Sequence, residues 1–148
     1  MRRFKFSLEK ALKLREYHEK ETEIALGRAV GALTRIEREI VDTGEERDQV
    51  AAERFSTCSV HELIVYDLYV QRLDVTKKTL ISEAAKATER VEEARGVYLE
   101  AARDRKVLDK LKEHREQDYR KAMFAEETRI LDDIASGSKA RKSVTNGA

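Results

Sequence analysis

The chain has 148 residues, 40% of them charged, with no proline or tryptophan, which leaves room for one domain and little material for a thick core. Its 30 basic and 29 acidic residues give a net charge of +1, so there is no overall attraction to nucleic acid or to an anionic membrane. A single cysteine, Cys58, excludes an intramolecular disulfide, and no stretch approaches the roughly 18 apolar residues of a membrane span.

Enrichment in Ala, Glu, Lys, Leu and Arg points to long helices, which need only one apolar stripe each. The opening MRRFKFSLEK is basic but lacks the apolar core of a secretion signal, so a cytoplasmic chain is expected. Ser7 is positioned to cap a first helix over about 7–54, its hydroxyl accepting a first-turn amide. From Leu8 a seam runs through Leu12, Arg15, Glu19, Thr22, Leu26, Ala29, Leu33, Ile36, Ile40, Thr43, Arg47 and Val50, eight of thirteen positions being apolar. In its weakest part, Leu14, Tyr17 and Ile24 supply apolar surface on a neighbouring flank. Glu9 with Lys13 and Glu16 with Lys20 have the favourable i,i+4 orientation for the solvated face. Gly27 and Gly31 mark close approach of a partner backbone or simple tolerance, and Thr43-Gly44 weakens the helix by about 1 kcal/mol without ending it.

The break falls at Phe55-Ser56-Thr57-Cys58-Ser59. Ser59 and Glu62 then form a capping box that starts a second helix over about 60–134. So short a connection makes the two helices antiparallel neighbours. The second seam is more regular: Leu63, Tyr66, Val70, Leu73, Lys77, Leu80, Ala84, Ala87, Val91, Ala94, Tyr98, Ala101, Arg105 and Leu108 alternate spacings of three and four, twelve of the fourteen being apolar. Beyond Leu108 the same count lands on Lys112, Arg115, Tyr119, Ala122 and Glu126. A turn centred near residue 57 sets Leu8 opposite about Arg105, so residues 109–134 are expected to project beyond the first helix by about 40 Å. This overhang carries Leu111, Met123, Phe124, Ile130, Leu131 and Ile134. Residues 136–148, opening Ser136-Gly137-Ser138, read as a disordered basic tail.

The expected fold is therefore all-α: an antiparallel two-helix coiled coil over 1–135, the second helix longer. His18, His61 and His114 stand in no metal-binding spacing, no phosphate loop or nucleophile context is present, and carboxylates on long helices have no pocket to tune them. No catalysis, metal or cofactor is expected. Two surfaces remain. One is Leu63–Val70, where seven of eight residues are apolar and Ile64, Val65, Leu68 and Tyr69 exceed what a seam uses, so that either a folded-back tip covers them or they bind a partner. The stretch also has strand propensity. The other is a basic band from residues 1–20 and 94–107, either a solvated face or a dock for an acidic protein surface or nucleic acid.

These residues resemble the FliJ family, the coiled-coil component of the bacterial flagellar (type III) protein-export apparatus. MRRFKFSLEKALKLREYHEKE looks like the family's opening, and EARGVYLEAARDRKVLDKLKEHREQDYR with FAEETRILDDIA looks like its C-terminal helix, over residues 2–135. The resemblance implies an antiparallel coiled coil similar to a rotary-ATPase stalk, without enzymatic activity. It implies engagement of the hexameric export ATPase, contact with the membrane export gate, and escort of export chaperones, in the cytoplasm at the inner membrane and without membrane insertion or nucleic-acid binding. Carried over residue by residue, the ATPase contact falls on Leu111, Met123 and Phe124, and the gate contact on Tyr66, Tyr69, Leu73 and Thr76. On the first helix the corresponding positions are about Thr43, Glu46 and Val50. The competing expectation is a structural stalk subunit of a rotary ATPase.

Overall fold

A computed structural model describes residues 4–56 and 59–145, with side chains through Ser138. Thr57 and Cys58, two of the five residues of the expected break, lie outside the described residues. Helix α1 spans Glu9–Glu53, a short 3-10 turn follows at Arg54–Ser56, and α2 spans Val60–Thr145. Among the described residues there are no strands, so the strand propensity of Leu63–Val70 yields to helix under the pull of its seam.

The fourteen seam positions of α2, from Leu63 to Leu108, are all buried or half-buried, with Leu73, Ala87, Val91 and Ala101 the deepest. On α1 the seam positions from Glu19 to Val50 are likewise withdrawn from solvent, and so is Leu12, while Leu8 and Arg15 stay exposed. Thr22 is buried with its hydroxyl donating to the Glu19 carbonyl at 2.7 Å, a local bond that makes a polar group tolerable inside the seam. Leu14, Tyr17 and Ile24 do not help fill the weak part of the first seam; they are 67, 62 and 50% exposed. Two helices enclose only the strip between them, so residues off that strip stay wet whatever their chemistry.

Two compact units make up the chain. The first to consider is Glu16–Ala102, a helical hairpin. Arg47 Nε meets Asp74 Oδ1 at 2.6 Å and Arg54 Nη1 meets Asp67 Oδ1 at 2.8 Å, which fixes the antiparallel register. Lys77, a cation in the seam, rests its amine beside Gly44, where a side chain would stand 3.4 Å from it. That placement suits the absence of a side chain at Gly44, and α1 continues unbroken to Glu53. At Gly27 and Gly31 nothing approaches within 4 Å, so tolerance is the reading that fits within this chain.

The second unit joins the residues through Arg15 to those from Arg103 onward. Here Arg15 pairs with Asp104 at 2.9 Å, Glu9 with Lys112 at 2.9 Å, and Arg115 Nη1 donates to Ser7 Oγ at 2.9 Å. Phe4 and Tyr119 meet with ring centroids 5.6 Å apart. Leu8 therefore lies level with about residue 113, not Arg105, and the projecting part of α2 begins past Tyr119 rather than at residue 109. The hairpin unit also departs from the expected register. Arg54 faces Asp67, so the first two turns of α2 run beyond the end of α1, and the connection is not centred on residue 57.

Three local expectations change with this register. Ser7 sits in a turn closed by the Glu9 amide on the Phe6 carbonyl at 3.3 Å, and Leu8 supplies the first helical carbonyl, to the Leu12 amide at 2.9 Å. The Ser7 hydroxyl holds Arg115 instead of capping the helix. Glu9 reaches across to Lys112 rather than along the helix to Lys13. At the other end, α2 passes through Ser136-Gly137-Ser138 and continues to Thr145, where an end of helix at about 134 and a disordered tail were expected. One exposed glycine costs a helix only about 1 kcal/mol, and Ser138 satisfies its hydroxyl on the Ala135 carbonyl at 3.2 Å. Ser59 does stand where a cap belongs, its carbonyl accepting the Leu63 amide at 3.1 Å.

Seam burial predicts a contrast between neighbours on α2. Leu73→Ala removes a side chain that is 8% exposed and destabilises the fold by about 2–3 kcal/mol, whereas Val75→Ala, at 64% exposure, changes stability by under about 0.5 kcal/mol. Thermal unfolding followed by circular dichroism checks this; equal effects at the two positions would contradict the assigned seam.

Candidate functional site

In the unit Glu16–Ala102, the start of α2 presents apolar surface that the seam cannot absorb. Leu63, Tyr66 and Val70 turn into the seam and are half-buried. Ile64, Val65 and Leu68 are 53, 53 and 61% exposed, and Tyr69 is 39% exposed. Of the two readings of Leu63–Val70, the described residues show open surface and no covering tip. Sequence reasoning missed two contributors, Phe55 in the 3-10 turn and Val60 at the first position of α2, which are 90 and 73% exposed. The signal was available: an aromatic among serines and threonines has no seam to enter.

Polar contacts frame this patch. The Tyr69 hydroxyl donates to the Glu46 carboxylate, which ties α2 to α1. This brings together Tyr69 and Glu46, two positions that the family resemblance places on opposite helices of one contact. Thr43 and Val50, the other two first-helix positions, are half-buried. Arg47 also approaches Asp48 at 3.6 Å, besides Asp74. Of the four residues expected to meet a gate, Tyr69 and Thr76 are exposed, Tyr66 is half-buried, and Leu73 is core. Thr76 spends its hydroxyl on the Arg72 carbonyl at 3.0 Å.

In the unit that contains the end of α2, Leu111 and Met123 are half-buried and Phe124 is 63% exposed. Ile130, Leu131 and Ile134 follow at 52, 65 and 64% exposure. The basic band is partly neutralised where it stands. Arg15 and Arg105 pair with Asp104 and Asp109 at 2.9 and 3.2 Å, and past the band Lys112 and Arg120 pair with Glu9 and Glu116 at 2.9 and 2.7 Å. Such half-exposed pairs contribute about 0–1 kcal/mol each, and they lower the local field that would attract an acidic partner.

His18, His61 and His114 are exposed, and among the described residues no group of three His, Cys, Asp or Glu side chains could hold a metal. No helix among them is long and apolar enough to cross a membrane. What the arrangement offers is apolar surface for protein contact, at the start of α2 and near its end.

The Glu46 carboxylate, by its hydrogen bond to the phenol, raises the Tyr69 pKa above its ordinary value, with burial a lesser cause. Glu21 does the same to Tyr17. A group whose folded pKa is raised lends stability that is complete below its unfolded pKa and is lost as pH rises through the folded one. Ultraviolet titration of the phenols should therefore show two late-ionising groups, one of which is lost in Tyr69→Phe while that of Tyr17 remains. A Tyr69 that ionises with or before the free phenol would show that the Glu46 bond does not form in solution.

A family model described as Flagellar FliJ protein matches residues 4–143. Neither a curated protein nor a solved structure matches the chain.

Proposed function

This chain belongs to the FliJ family, a component associated with flagellar protein export, and from that premise we propose that it acts as a non-catalytic coupling element of the export machinery. It binds the hexameric export ATPase through the projecting part of α2, promotes ring assembly, contacts the membrane export gate through the start of α2, and escorts export chaperones. It works in the cytoplasm, held peripherally at the inner membrane by these protein contacts.

The observation that carries the ATPase side is the run of exposed apolar residues that follows the Phe4–Tyr119 contact along α2. A lone helix is marginal in water, so a helix end bearing Phe124, Ile130, Leu131 and Ile134 gains most by meeting another protein. Leu111 and Met123, half-buried, flank this contact and Phe124 anchors it. On the gate side, Tyr69 and Thr76 are the accessible members of the expected set. Ile64, Val65 and Leu68 extend them, while Tyr66 and Leu73 hold the helix that presents them.

Adding the purified chain to its cognate export ATPase is expected to raise ATP turnover. Phe124→Ala should weaken the association by about 1–2 kcal/mol at unchanged helicity. An ATPase that is competent alone and indifferent to the chain ends this reading.

For the gate, Tyr69→Ala is expected to reduce binding to the gate's cytoplasmic portion while helicity and ATPase binding persist. If the variant instead loses helicity, the ring belongs to the hairpin and not to a docking surface.

A further inference from the structure

Within the hairpin of residues 16–102, both helices lose their apolar seam at the same level. On α1 the seam is apolar at Leu26, Ala29, Leu33, Ile36 and Ile40, polar at Thr43 and Arg47, and apolar again at Val50. On α2 it is apolar from Leu63 to Leu73 and from Leu80 to Ala101, and Lys77 alone interrupts it. Arg47–Asp74 and Arg54–Asp67 set a register in which Lys77 lies beside Gly44, next to Thr43. Two interruptions far apart in sequence thus form one polar layer.

The backbone is weak at that layer too. Gly44 lowers the helix propensity of α1, and a Cβ there would meet the movable Lys77 amine at 3.4 Å. Thr43, Thr76 and Thr79 turn their hydroxyls back onto the carbonyls of Glu39, Arg72 and Val75, a bond that slightly destabilises a helix. That bond is not by itself the break. Thr34 and Thr88 make it as well, in stretches whose seam stays apolar.

The two sides of the layer are held differently. Toward the connection, Arg47–Asp74, Tyr69–Glu46 and Arg54–Asp67 cross between the helices, and Leu73 is the buried apolar residue. On the other side Ala87, Val91 and Ala101 are buried. Half-exposed ion pairs hold helices together less firmly than packed apolar layers.

We propose that the tip of this hairpin, residues 44–56 and 59–79, opens as one cooperative unit at the polar layer while residues 16–43 and 80–102 stay paired. A lone helix is marginal in water, so the tip helices melt as they part and their amides exchange together. Opening adds Tyr66, Val70 and Leu73 to the apolar surface that Ile64, Val65 and Leu68 already offer. The closed seam therefore keeps part of that surface in reserve.

Hydrogen exchange of the purified full-length chain, followed by mass spectrometry where exchange reports the opening equilibrium, tests this. Tip amides are expected to exchange at one common level, at least about tenfold faster than residues 26–40 and 82–98, with a step at the layer. Gly44→Ala should slow the tip about fivefold. Gly27→Ala is the matched control, since nothing lies within 4 Å of its Cβ position, and it should leave the tip within about 1.5-fold of wild type. Lys77→Leu, which restores an apolar seam at this level, should likewise slow the tip. Protection that fades smoothly toward the connection, without a step, overturns the proposal. So does a Gly27→Ala variant that slows the tip as much as Gly44→Ala, which would make the hairpin a single cooperative unit. Neither an ATPase nor a gate enters the measurement, so its failure is separate from failure of the export reading.

Discussion

A two-helix seam is the constraint from which the other features follow. Each helix can hide one stripe against the other, and burial stabilises at about 25 cal/mol per Å² of apolar surface removed from water. Small residues fill the middle of the α2 stripe, with Ala84, Ala87, Val91 and Ala94 in sequence, and among the described residues no large side chain is enclosed completely. Apolar residues off the stripe have no intramolecular shelter. Phe55, Ile64, Leu68, Phe124 and Leu131 are therefore exposed by geometry, and their chemistry is available to other proteins.

The character of the seam changes along α2. In the hairpin of residues 16–102 the α2 seam is apolar except at Lys77, with polar bonds such as Arg47–Asp74 and Tyr69–Glu46 across to α1. In the unit that begins at Arg103, Glu9–Lys112, Ser7–Arg115 and the Phe4–Tyr119 ring contact continue the pairing after the apolar residues run out. Phe6 and Leu12 are the buried apolar residues of the N-terminal side there. Half-exposed ion pairs contribute far less than packed aliphatics, so this unit opens at lower cost than the hairpin. An element that must exchange intramolecular contacts for a partner is expected to lie at that low-stability end.

The same contrast explains which residues of the candidate surfaces were legible. Ile64, Val65, Leu68 and Tyr69 stood out because they exceeded what a seam consumes. Leu73 and Tyr66 entered the gate set by resemblance, yet the spacing that puts them in the seam withdraws them, Leu73 wholly and Tyr66 in part. Phe55 and Val60 were passed over because attention to periodicity discounts a connecting segment. The basic band is present in composition, but its field depends on which cations find carboxylates across the helices, and composition carries no register.

By itself the sequence determined two long helices, their seam positions, their antiparallel order and the greater length of the second, because a helical period and a short connection are local properties. Only the tertiary structure decided the register: in the hairpin Arg54 faces Asp67, and in the other unit the N-terminal segment reaches Tyr119, past the expected limit at residue 109. It also decided that the seam ends in polar pairs rather than at Leu108. A heptad count cannot distinguish a lysine facing water from one facing Glu9. That distinction belongs to the partner helix, and it exists once the chain has folded back on itself.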